Sequence, residues 1–223
     1  MHRIALILAV VALVAIGGCG GGGGDGAASN TTRQLVVGNQ VIYSITGTGD
    51  NGASSGPITG TATITVYSDT ATPKYGNRSL RFVWEINIQF QGHTYADNVT
   101  VYYEQGANGA IYQAGYEGAR LVTSTAAPVY FPSPISAGAT YSYVITYSGD
   151  PAPEQNDVNV MQKETVAGYE SYRVHRTWTM NSYSGAGDDW LVPDLGLPVK
   201  STLDGDIDDV TVTGTMVLAS KNF

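Results

Sequence analysis

The chain has 223 residues and a formal net charge of −8, and only 13% of its residues are charged. An acidic, sparsely charged chain of this kind has no electrostatic route to nucleic acid or to anionic lipid heads, and it lacks the charge density of an ion-paired helical protein. Its single cysteine excludes an internal disulfide, so the core has to hold through apolar burial.

Met1, His2 and Arg3 open the chain, and an unbroken apolar run follows from Ile4 to Ile16. The run has the length of a signal-peptide apolar region and is too short to cross a bilayer as a helix. It ends in Gly17, Gly18 and Cys19. An aliphatic residue, two small residues and a cysteine in this order resemble the bacterial lipoprotein signal. The resemblance implies cleavage after residue 18, a diacylglyceryl thioether on Cys19 and acylation of the new amino end. Several acyl chains on one protein are what stable membrane attachment requires. Gly20, in place of aspartate after the cysteine, implies sorting to the outer membrane, facing the periplasm or the exterior. The plainer alternative is a secretory signal followed by an incidental thiol, although an unpaired cysteine in an exported chain is unusual. Removing 18 of 223 residues leaves 205, at a charge of −9 because Arg3 departs and no acid does.

Glycines fill positions 20–24, and small or polar residues continue to about Arg33, so residues 19–34 read as a lipidated flexible tether. From residue 35 to 223 the pattern is that of strands. Val41, Tyr43 and Ile45 alternate with polar neighbours, and Thr61, Thr63 and Thr65 oppose Ala62, Ile64 and Val66. Leu80, Phe82, Trp84, Ile86, Ile88 and Phe90 form the longest period-two run, with one dry face. Tyr141, Tyr143, Ile145 and Tyr147 repeat the pattern, and so do Tyr172, Val174, Arg176, Trp178 and Met180. Gly47–Pro57, Asp69–Asn77, Gln105–Gly109 and the proline-bearing Thr125–Gly138 read as the breaks between strands.

A weak internal repeat runs through this β region. Ile45-Thr46 recurs as Ile145-Thr146, and Tyr75, Trp84 and Asn87 recur as Tyr169, Trp178 and Asn181. Two halves follow, about 35–125 and 138–223, each of about six strands; the halves share one sheet or form separate domains. The expected fold is all-β and antiparallel, a strongly curved sheet or open barrel of about eleven or twelve strands. Trp190-Leu191-Val192-Pro193-Asp194-Leu195-Gly196-Leu197-Pro198-Val199-Lys200 reads as a tryptophan strand, a turn and a returning strand. This segment resembles bacterial envelope proteins related to the lipoprotein carriers, whose curved sheet cradles acyl chains. The amphipathic helices that cover the sheet in those proteins have no counterpart here.

Few groups suggest chemistry. Gly47–Gly52 fits a dinucleotide fingerprint and Gly52–Gly56 a nucleophile elbow, but both motifs need a following helix, which Ser54-Ser55-Gly56-Pro57 does not supply. Asp204, Asp206 and Asp208 fall on one strand face, either as a solvated acidic edge or as a weak calcium site; no other cofactor is expected. Arg176 lies on a face that should be dry. It is either a ligand anchor, beside Trp178 and its repeat partner Trp84, or half of a structural ion pair with Glu164 or Asp188, or an arginine whose stem covers apolar surface while its head reaches water. Tyr141, Tyr143 and Tyr147 suit either a sugar platform or ordinary half-buried strand positions. These features suggest a membrane-anchored, non-enzymatic binding or scaffold module whose protein or small-molecule partner the sequence does not name. The alternatives are a carrier of an apolar ligand or lipid in the concave sheet, and a hydrolase using residues not grouped in sequence, which a cleft holding His93 or His175 near an acid would support.

Overall fold

A computed structural model of the chain describes residues 31–50, 52–116, 119–124, 126, 128–148, 150–180, 183–207 and 210–223. Cys19 and Asp208 lie outside the described residues, as does the side chain of Asp206. The strands are β1 (Gln40–Asp50), β2 (Ser55–Ser68), β3 (Arg78–Phe90), β4 (His93–Gln105), β5 (Ile111–Tyr116), β6 (Ala119–Ser124) and β7 (Val129–Phe131). They continue as β8 (Thr140–Tyr147), β9 (Asp150–Val166), β10 (Tyr169–Met180), β11 (Tyr183–Val192), β12 (Leu197–Ile207) and β13 (Val210–Lys221). All pairings are antiparallel within one strongly curved, barrel-like sheet. No helix among the described residues is long and apolar enough to cross a membrane.

Connectivity is a meander. Each long strand pairs with the next in sequence, and β13 returns to β1 over the stretch Val41–Asp50. The three-residue β7 is an addition, attached to β5 through Ile111 and Tyr112. The thinnest part of the ladder runs through β6, which meets β5 only at Gly115–Arg120 and Tyr116–Ala119. β1–β6 and β8–β13 give six strands on either side of the proline segment. The repeat partners Trp84 and Trp178 both point inward, on β3 and β10.

Alternation decides which face is dry. Val41, Tyr43 and Ile45, then Ala62, Ile64 and Val66, then every second residue from Leu80 to Phe90, line the inside, each no more than 7% exposed. One continuous core draws on strands of both halves, including Trp84, Tyr103, Tyr143, Val174 and Trp178. The concave face is therefore filled by its own side chains. A smaller apolar cluster, Trp190, Val192, Leu195 and Val199, packs beside it with Leu218 and Phe223.

Two readings need correction. Gly47–Pro57 is mostly strand: β1 runs to Asp50, and β2 starts at Ser55. Gly47 is required by proximity, because a Cβ there would lie 2.3 Å from the Thr213 carbonyl oxygen of the next strand. Thr32–Gln34, read as the end of the tether, are sewn to the body. The Thr32 amide donates to Ser133 Oγ at 2.9 Å, the Arg33 amide to the Pro193 carbonyl at 2.8 Å, and Gln34 Nε2 to the Gly106 carbonyl at 2.7 Å. Leu35 follows, fully buried, with its amide donating to Gln105 Oε1 at 2.9 Å.

Candidate functional site

The densest concentration of buried polar groups sits inside the sheet around Arg176. β10 is antiparallel to β11, with Arg176 opposite Gly187, so the inward position two residues on is Asp189. The Arg176 Nε lies 3.0 Å from Asp189 Oδ2. The atoms are off the line of a hydrogen bond, so charge holds the pair. Nη2 donates to the Tyr130 carbonyl at 3.1 Å, and the guanidinium lies 5.2 Å from the centre of the Tyr130 ring. Ser201 on β12 donates its hydroxyl to Asp189 Oδ1. Arg176 and Asp189 are 3% and 4% exposed. The expected carboxylates are thus the wrong ones. Asp188 points to the other face of β11, and Glu164 accepts the Trp190 indole N–H at 2.8 Å.

Tyrosines surround this pair. Tyr43 donates its hydroxyl to the Pro198 carbonyl at 2.8 Å, and the Tyr103 ring lies 5.0 Å from that of Tyr130. Burial, with the Asp189 charge adding to it, pushes the Tyr43 hydroxyl well above its ordinary value. Burial raises Tyr103 and Tyr130 likewise, so these hydroxyls stay protonated. Burial also raises the Asp189 carboxyl above the usual range, although Arg176 and the Ser201 hydrogen bond pull it down. Arg176 Nη1, the Tyr130 hydroxyl and Trp84 Nε1 have no hydrogen-bond partner among the described residues. Chemically the cluster is a buried clamp across β10, β11 and β12.

Trp84 and Trp178 occupy the same interior, 1% and 7% exposed. The Trp178 indole lies flat over Gly185, where a Cβ would come within 2.3 Å of its ring. Tyr143 and Tyr147 also face inward and are buried, so they offer no platform for a sugar. Asp204 lies on the exposed face of β12, and its Oδ1 accepts the Thr213 hydroxyl at 3.4 Å. Among the described residues no group of three or more metal-ligating side chains comes together.

On the outer face Asp188 joins Arg173, at 2.8 Å, and His175 Nδ1, at 3.0 Å. Burial works to raise this carboxyl, but the hydrogen bonds and charges of Arg173 and His175 outweigh it and hold it below the ordinary range. A histidine oriented by a carboxylate is part of a hydrolase triad. Here the pair lies on an exposed sheet face, and Asp188 is the only residue His175 bonds among those described. His93 opens β4 beside the Gln91–Gly92 turn. An open recess of about 440 Å³ lies at the tips of β1, β2 and β13, lined by Thr48, Asp50, Ser55, Pro57, Thr211 and Thr213.

The sequence missed one anchoring carboxylate altogether. Glu104, 1% exposed, accepts the amides of Lys74 at 2.5 Å, Tyr75 at 3.0 Å and Asn77 at 3.2 Å, and so ties down the β2–β3 loop. The available signal was a charged residue at the end of a strand, next to a glycine turn.

No family model matches the chain, and no curated protein matches it. Among solved structures, a protein of inferred export with a YmcC-like fold from Bacteroides fragilis is 13% identical, with a TM-score of 0.41 over 88% of this chain and 100% of that one. An inferred lipoprotein from Parabacteroides distasonis is 11% identical, with a TM-score of 0.44 over 89% of this chain and 100% of that one.

Proposed function

We propose that the protein is a membrane-anchored envelope lipoprotein whose β domain is a non-enzymatic binding or scaffold module working through its outer surface. The observation that carries the second half of this reading is the filled interior. Tyr43, Phe82, Trp84, Tyr103, Tyr130 and Phe131, from four strands, are each less than 2% exposed inside the curve. A carrier needs a concavity that its cargo can enter. Here the protein's own side chains, with a buried ion pair among them, occupy that place. The anchor rests on the order Ile16, Gly17, Gly18, Cys19 after an apolar run, and the outer-membrane address on Gly20.

Two measurements test this reading. The intact mass of the mature protein is expected to show a chain starting at a multiply acylated Cys19, and Cys19→Ser to release the protein from membranes. An unmodified start removes the anchor and the location. Titrating the folded domain with an environment-sensitive apolar dye is expected to give no saturable signal. Saturable, stoichiometric binding would restore the carrier.

A further inference from the structure

Charge and exposed apolar surface are not spread evenly over this acidic molecule. The chain enters the body at residues 31–39, at the end of the sheet where β1 and β3 start and β2, β4 and β13 finish. The four exposed large apolar side chains among the described residues, Val36, Val37, Tyr67 and Val217, all lie in that half. Val36 and Val37 are 55% and 52% exposed. Cations accompany them. The Arg33 guanidinium and Lys221 Nζ lie 4.6 Å and 5.1 Å from the centre of the Phe223 ring, and Lys200 Nζ lies 4.2 Å from that of Trp190. Lys200 is directly opposite Val217 in the ladder, and Arg81 lies 5.1 Å from the Tyr67 ring. Acids at this end are partly engaged: Lys163 pairs with Glu170 at 2.6 Å, and loop amides take up Glu104. The Trp190 indole takes up Glu164, and Asp69 and Asp194 are the other acids there. The opposite half carries Asp50, Asp97, Glu154 and Asp204, and the one described lysine or arginine side chain there is the buried, Asp189-paired Arg176.

We propose that the end bearing Arg33, Val36, Val37, Lys200 and Lys221 is the face that meets an anionic phospholipid surface, with the acidic rim turned away. The inference rests on the lipoprotein reading. Eleven residues separate Cys19 from Thr31, and the twelve steps span at most about 40 Å even fully extended, so an acylated Cys19 keeps this end within about 40 Å of the bilayer. Valines at the headgroup boundary gain apolar burial, and lysines and arginines gain from the negative surface potential within a Debye length. The whole-chain charge forbids this contact only if it is taken as evenly distributed. Segregated, the same charge becomes an orienting couple that attracts one end and repels the other.

The test uses the mature acylated protein in vesicles of phosphatidylethanolamine and phosphatidylglycerol. With Cys19 blocked by its lipid, Val36→Cys and Asp50→Cys each provide one free thiol for a fluorophore. Headgroup-nitroxide lipid is expected to quench the probe at 36 strongly and the probe at 50 weakly. Arg33→Glu with Lys221→Glu is expected to reduce that contrast severalfold. Equal quenching at the two positions, in protein whose mass shows Cys19 acylated, overturns the orientation and leaves the anchor standing. An unacylated Cys19 that leaves the protein off the vesicles overturns the anchor, and the orientation with it.

Discussion

At the residue scale, two adjacent aspartates on β11 live in opposite electrostatic worlds. Asp189 faces inward to Arg176, and Asp188 faces outward to Arg173 and His175. Removing one member of a buried pair strands the other, at a cost of about 3–5 kcal/mol, whereas replacing both with apolar groups of similar volume is often neutral. Arg176→Met is therefore expected to lower the urea midpoint sharply, and Arg176→Met with Asp189→Leu to recover much of the loss. A double variant no better than the single one would show that the guanidinium acts through something other than Asp189. The pH response separates the neighbours. The Asp188 pKa is depressed in the folded state, so its contribution is present above the unfolded value, near pH 4, and is lost as pH falls through the folded value. The Asp189 pKa is raised, so its contribution has the opposite sign: present below the unfolded value and lost as pH rises through the folded one. Asp188→Asn should then cost stability at pH 7 and much less at pH 3. Urea unfolding at the two pH values checks this, and an equal deficit at both would refute the linkage.

At the scale of elements, the sequence disclosed most where side-chain alternation alone decides the outcome. The inward set of β3 was readable because six apolar residues at period two admit only one dry face. Glycine misled, since it has two uses. At Gly92, with φ near 76°, it makes the turn between β3 and β4, whereas at Gly47 and Gly185 it makes room inside strands. Composition does not distinguish these uses, because the second depends on what the neighbouring strand places opposite. Register does: Trp178 faces Gly185, which faces Gly205, so an indole lies across two glycines in a row. The partner of Arg176 was missed for a related reason. Nearness in sequence suggested Asp188, whereas parity with the inward Leu191 points to Asp189. Gly185→Ala is expected to force the indole out of place and to cost about 1–3 kcal/mol, as overpacking does. Adding Trp178→Leu should recover part of that cost in thermal or urea unfolding. A fully stable Gly185→Ala would mean that the ring does not lie on this glycine in solution.

At the scale of the whole molecule, six strands on either side of a proline segment invite a two-domain reading, and packing argues for a single unit. The core joins Val41, Trp84 and Tyr103 from the first half to Tyr143, Val174 and Trp178 from the second, and β1 pairs with β13 along Val41–Asp50. The entering segment strengthens the closure. Thr32 reaches Ser133, Arg33 reaches Pro193, and Leu35 reaches Gln105, so three residues of one short segment touch three places far apart in sequence. Arg78 adds to this by donating to Gln105 Oε1 at 2.8 Å and to the Leu35 carbonyl. Such ties are long-range, and neither half retains its buried surface when the other opens. Unfolding is accordingly expected to be one cooperative transition, with tryptophan fluorescence and far-ultraviolet dichroism superimposing. Leu35→Ala should lower the stability of that whole transition by about 2–5 kcal/mol, the usual range for a fully buried leucine, although the residue precedes the first strand. Two separated transitions, or a Leu35→Ala effect confined to one of the two probes, would show that the halves stand as independent domains and that the strap serves only one of them.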